Sequence, residues 1–337
     1  MTINTSTDSH CLDCSAFLNW GDEDLESESE KTVVFRSLVA TLKLQPTLDH
    51  YLEAKAITFL QFVDPYDEES ADDFVSSFGA TIDDSSPDFV QSIVVLISSA
   101  SSIITTAAMK MLENLIWSCS PKIRLALFKA DLIPQIIATL NPQSLSFAEA
   151  DNIHIYLMKI VRYSLWLATP RCLRQLKIYE DDEQQIVHET ILKQVLVPSE
   201  QYICHLCVNR NSIIDGEQSE SFLLLLARLL KICPYHQPTM DFVLNTPVVL
   251  TIPSCPTFFD NDYSIYWILS EMIDAQQEWN ETRGLVREMW KTMDRKLRME
   301  GIEDAMDEKL QTDKNGNYGG FFVATSIDWN NLQGMNI

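Results

Sequence analysis

The chain has 337 residues and a formal net charge of −23, from 48 acidic and 25 basic side chains. A field of that sign repels phosphate backbones and disfavours anionic membrane surfaces, so nucleic acid and lipid headgroups are poor ligands. Hydrophobic residues at 46% and charged residues at 22% exclude global disorder, and the charge attracts a basic peptide or a basic partner face.

Eight cysteines in a chain this long do not make a disulfide scaffold, and most fall within apolar helical patterns where thiols act as small hydrophobes. The opening MTINTSTDSH lacks the positive and apolar regions of a signal peptide. The most apolar stretch, Phe222–Cys233, is too short to span a bilayer and contains Arg228. These features lead to the expectation of a reduced compartment, the cytoplasm with the nucleus also open, and of no membrane insertion.

In chain order, residues 1–28 read as an acidic, unstructured N-terminal segment. The run Asp22–Glu30 precedes a helical pattern from Lys31, where negative charge suits unsatisfied helix N–H groups. Ser27 and Ser29 within that run read either as a solvated helix start or as sites for an acidophilic kinase. After Pro46, Leu48, Leu52, Ala56, Phe59, Leu60 and Val63 form one apolar helical stripe. Asp64–Asp73 reads as an acidic loop. Short helical patterns follow at Ala71–Phe78 and Pro87–Ser98, the second opened by a proline at a favoured first-turn position.

The pattern then repeats. Met109–Pro121 aligns with Met158–Pro170, with Met109/Met158, Lys110/Lys159, Trp117/Trp166 and Pro121/Pro170 identical. Arg228–Tyr235 gives a looser third copy, and a further helical pattern at Tyr263–Trp279 lies at a comparable interval. A recurrence of roughly 40–50 residues in a helical chain marks stacked helical repeats. Between Ala80 and Arg283 the only glycine is Gly216, which leaves no glycine cluster to close on a nucleotide phosphate. Strand signal is thin, the best being Thr246–Ile252, and its prolines argue against a central strand.

The segment Ala107–Leu140 resembles part of an armadillo repeat array. It contains a long third helix with the Asn114–Leu115 pair, a first helix at Lys122–Ala130, a sharp turn at Asp131 and a second helix at Leu132–Leu140. Ala148–Val197 is similar in kind. The resemblance to the armadillo/HEAT superfamily implies an all-α, right-handed α-solenoid over residues 29–310, followed by a flexible tail at 311–337. The family usually places glycine where Asp131 stands. The resemblance further implies a concave face in which Asn114 is the one ladder asparagine, with Tyr163 and Arg228 at aligned positions. Trp117 and Trp166 share one equivalent position, and Lys110 and Lys159 another. At steps of four and three, Lys110, Asn114 and Trp117 share a helix face, as do Lys159, Tyr163 and Trp166. The tryptophans have two readings, groove lining or inter-repeat core.

Other constellations are weaker. Cys11–Cys14 and Cys204–Cys207 have local zinc-ligand spacing, but the pairs are far apart in the chain and the second reads as one apolar helix face. The six histidines are scattered, and no nucleophile elbow, zinc-protease or P-loop motif occurs. Arg283, Arg287, Lys291 and Arg295 form a basic stripe, read as a solvated face or as a dock for an acidic segment. No cofactor, metal or catalytic residue is expected. The function implied is a non-catalytic protein-interaction scaffold; the alternatives are an assembly subunit of a larger complex or a metal-dependent enzyme.

Overall fold

The computed structural model describes residues 14–21, 25, 27–63, 67–78, 87–209, 213, 216–233, 236–248 and 263–264. Apart from one pair of two-residue strands, the regular structure among them is helical. The chain divides into two compact units, residues 1–167 with 171–198, and residues 168–170 with 199–337.

The first unit opens with α1 (Ser15–Asn19), inside the stretch expected to lack structure. Two buried aromatics account for it. Phe17 is fully buried and donates its backbone N–H to Ser37 Oγ at 2.8 Å, while Trp20 packs edge-on against Phe59. Helix α2 (Glu28–Leu44) starts at a capping box: Ser27 Oγ accepts from Glu30 N–H, and the Glu30 carboxylate accepts from Ser27 N–H at 3.1 Å. Both exchanges satisfy N–H groups that the first turn leaves orphaned. Helix α3 (His50–Phe62) is capped by Asp49, and α4 (Glu68–Ser76) by Asp67, which accepts from Ser70 N–H at 2.8 Å. The acidic run read as a loop is therefore helical from Glu68 onward.

Next come α5 (Pro87–Ile97) and α6 (Ser102–Ser118). Helix α7 (Pro121–Lys129) has its proline in the first turn, where the missing N–H costs nothing. Asp131 then adopts the left-handed conformation, φ 61°, and leads into α8 (Leu132–Leu140), as the sharp turn in the sequence required. Helix α9 (Asp151–Leu165) passes into a 3-10 turn at Trp166–Ala168, then α10 (Pro170–Gln175) and α11 (Asp181–Ile191). A π-turn at Leu192–Leu196 joins α11 to α12 (Val197–Val208). Pro198 explains the widened turn: it has no N–H to return, and its ring would crowd the carbonyl four residues back.

The packing order has a step of three. In the first unit α2 lies on α5 and α5 on α8; α3 lies on α6 and α6 on α9. Four phenylalanines fix the start of this order, because Phe35 of α2, Phe74 of α4, Phe78 in the turn after α4 and Phe89 of α5 meet edge-to-face or stacked at centroid distances of 5.2–6.4 Å. Polar links reinforce it. Gln91 of α5 donates to Gln135 of α8 at 2.8 Å, Ser120 N–H donates to the Asp72 carboxylate of α4 at 2.8 Å, and Ser101 Oγ donates to Glu53 of α3.

In the second unit, α13 (Gly216–Ile232) buries Phe222, Leu225, Leu226, Leu229 and Leu230. Helix α14 (Gln237–Asn245) packs on α13, and the strands β1 (Pro247–Val248) and β2 (Tyr263–Ser264) pair antiparallel. Tyr263 and Ser264, expected to begin a helix, are in β2 instead. The remainder of that pattern, the basic stripe Arg283–Arg295 and the tail from Gln311 lie outside the described residues. No helix among the described residues is long and apolar enough to cross a membrane.

Candidate functional site

Helices α6 and α9 lie side by side, and they carry five of the seven residues singled out by the repeat, with Trp166 in the 3-10 turn that follows α9. Their outward face is built by steps of three and four: Ile103, Lys110, Asn114 and Trp117 on α6, and Tyr156, Lys159 and Tyr163 on α9. The opposite stripes, including Met109, Leu112 and Ile116 on α6 and Leu157, Ile160 and Val161 on α9, are fully buried. Burying those stripes fixes both helices' rotation and so presents the polar face outward.

Trp117 is the large side chain at the centre of this face, 62% exposed. Its ring rests against Tyr163, with centroids 4.9 Å apart and planes inclined at 45°. Tyr163 is buried and works as a pivot. Arg162 donates from a guanidinium nitrogen to the phenolic oxygen at 2.9 Å, and its guanidinium carbon lies 4.7 Å from the ring centroid. Burial raises the Tyr163 phenol above its ordinary pKa, Arg162 opposes this, and Glu113 adds to it while accepting the phenolic proton in a hydrogen bond. The phenol therefore stays protonated, linking Arg162 to the buried Glu113.

Two further cations lie over aromatic rings. Lys159 Nζ stands 5.9 Å from the Tyr156 centroid, and the Arg124 guanidinium stands 4.9 Å from the Trp166 ring. Arg124 is buried; it donates from Nε to Cys119 O and from a terminal nitrogen to Trp117 O, each at 2.9 Å. Those carbonyls belong to the last turn of α6 and the residue that caps it, so Arg124 closes the helix end beneath Trp117. Lys110 is exposed and has no ion-pair partner among the described residues, and Asn114 is half-buried.

The two tryptophans that the repeat equates therefore occupy different environments. Trp117 projects outward onto Tyr163; Trp166, in the 3-10 turn, is half-buried against Arg124. Arg228 sits half-buried on α13, in the second unit. Arg162, Tyr156, Glu113 and Arg124 are additions to the residues picked from the sequence. Tyr156 was within reach, since it extends the stripe of Lys159 and Tyr163 by one more step of three. Arg162 and Arg124 gave no such signal, because the ring each covers is set by tertiary packing.

Among the described residues no three His, Cys, Asp or Glu side chains gather at metal-binding distances. Cys204 and Cys207 on α12 are not disulfide-bonded; burial pushes the Cys204 thiol up to about 12, while Cys11 lies outside the described residues. Comparison of the chain with family models, with curated proteins and with solved structures gave no match.

Proposed function

We propose that this chain is a protein-interaction scaffold that catalyses nothing, built from armadillo-like repeats of three helices and using the α6/α9 face for contact. The step-of-three packing supports the repeat: with α4, α5 and α6 taken as one unit and α7, α8 and α9 as the next, the second helices α5 and α8 are neighbours, as are the third helices α6 and α9. Each repeat's apolar stripe is covered by the adjacent repeat, which is how solenoids build a continuous core. Buried thiols such as Cys119, Cys172 and Cys207 pack as apolar side chains, which suits a reducing cytoplasmic setting.

The observation that carries the interaction reading is Trp117, a tryptophan 62% exposed on a rigid helix, seated on Tyr163 and flanked by Lys110, Asn114 and Arg162. Aromatic and arginine anchors of this kind concentrate binding energy at protein interfaces. Affinity capture from lysate compares the wild-type chain with Trp117→Ala and Lys110→Glu. Loss of the captured proteins in both variants, with unchanged helical content, supports the reading; an identical captured set in both contradicts it.

An assembly subunit is the second reading. It is favoured by Tyr51 and Ile103, 72% and 56% exposed near the starts of the neighbouring helices α3 and α6. Light scattering separates the two, since a stable monomer in isolation counts against obligate assembly.

A further inference from the structure

The charge of the whole chain and the charge of this face have opposite signs. Over the full lengths of α6 and α9 the basic residues are Lys110, Lys159 and Arg162, and the carboxylates are Glu113 and Asp151. Glu113 is buried and already accepts the Tyr163 proton, while Asp151 is the first residue of α9, two turns or more before Lys159. Lys110 and Arg162 therefore present cationic groups without a carboxylate ion pair among the described residues, on a chain of net charge −23.

Three of the aromatic rings at and beside this face are already covered, which leaves Trp117 as the exposed one. A basic peptide gripped by aromatic side chains needs their negative π-faces open to its own lysines or arginines. Here Arg162 covers Tyr163, Lys159 stands over Tyr156 and Arg124 covers Trp166. An incoming cation would have to displace these groups or settle on Trp117, where it would meet Lys110 on the same helix face and Arg162 over the adjoining Tyr163. An incoming carboxylate meets guanidinium and ammonium donors beside an exposed apolar ring.

We propose that the α6/α9 face takes an extended acidic peptide, with carboxylates directed to Lys110 and Arg162 and an apolar side chain on Trp117. This rests on the reading of that face as a contact surface, and it narrows the partner to a segment whose charge has the same sign as the chain's own net charge. The remote field of the chain then slows encounter while the local face holds register, so local pairing sets specificity.

The test is selection of a phage-displayed library of random peptides on the full-length protein, repeated with Trp117→Ala and Lys110→Glu. Both substituted side chains are exposed, and far-ultraviolet circular dichroism checks that each variant retains its helices. The expected result is enrichment of peptides rich in Asp and Glu with an interspersed apolar residue. Their binding should weaken by about tenfold in Lys110→Glu and further with added salt. Enrichment of basic or neutral peptides that still depend on Trp117 overturns the acidic assignment and leaves the contact face standing. Enrichment that is the same in wild type and Trp117→Ala, or none in either, removes the face itself and the proposal with it.

Discussion

The ring of Trp117 lies against that of Tyr163, centroids 4.9 Å apart, so the exposed aromatic of one long helix is supported by the buried aromatic of the next. Tyr163 cannot shift, because its phenol is tied to Arg162 and Glu113. The exposed ring is thereby presented from a fixed base. A side chain held in place before binding loses less entropy when a partner covers it.

Truncating Trp117 should cost little stability. The lost contact is one aromatic pair, worth about 0.5–1.5 kcal/mol beyond buried area. Phe35→Ala opens the four-phenylalanine cluster and should cost about 3–5 kcal/mol. Urea unfolding of the two variants should separate them by that margin; equal losses would mean that Trp117 is a core residue.

Arg124 should be the costliest charged residue of the first unit to replace. Its guanidinium closes the end of α6 through Trp117 O and Cys119 O and stacks on Trp166. Arg124→Ala leaves those carbonyls without their donor and should cost about 3 kcal/mol in chemical unfolding. Arg124→Lys should recover little of it, since an ammonium cannot serve both carbonyls and a ring at once. Full rescue by lysine would contradict the assigned geometry.

Asp131 occupies φ 61° between α7 and α8 and makes no side-chain cap. Asp131→Gly should raise thermal stability, by about 1 kcal/mol, because glycine adopts that conformation without a Cβ penalty. Asp131→Val should lower it by about 1–2 kcal/mol for the converse reason. A stabilising valine would show that the turn is not left-handed.

Burial pulls His188 and His205 below the ordinary histidine pKa. In the pH interval between the lowered folded value and the ordinary unfolded value of about 6.5, the unfolded chain binds more protons than the folded one. Stability is therefore full above that unfolded value and falls as the pH drops through the interval. Melting temperature should decline below neutrality, and His188→Gln should flatten part of the decline. A melting temperature that rises on acidification through the same range would contradict the sign.

Much of the helical order was legible because its signals are local. Pro121 marks the first turn of α7, Asp131 the left-handed link to α8, and the Met109/Met158 offset equates α6 with α9, which prove to be neighbours. The start of α4 was missed although Asp67 stands three residues before Ser70, the spacing its cap uses. Helix α1 was missed because a five-residue segment has little periodicity; burial of Phe17 and Trp20 holds it, and burial is a tertiary fact. The π-turn before Pro198 had only the proline as its signal. At the candidate site, Lys110, Asn114 and Trp117 could be read from helical spacing alone. The covering of Tyr163 by Arg162 could not, since adjacent residues on an ideal helix point to different faces.

The most direct test of the central claim, that the face around Trp117 is where a partner docks, is photo-cross-linking in cells. A benzophenone side chain is placed at position 117, with the equally accessible Tyr179, 68% exposed on α11's approach, as the comparison position. The account predicts discrete adducts from position 117 that disappear when Lys110→Glu is added, and none of those adducts from position 179. Adducts of the same set from both positions, or none from 117, would contradict it.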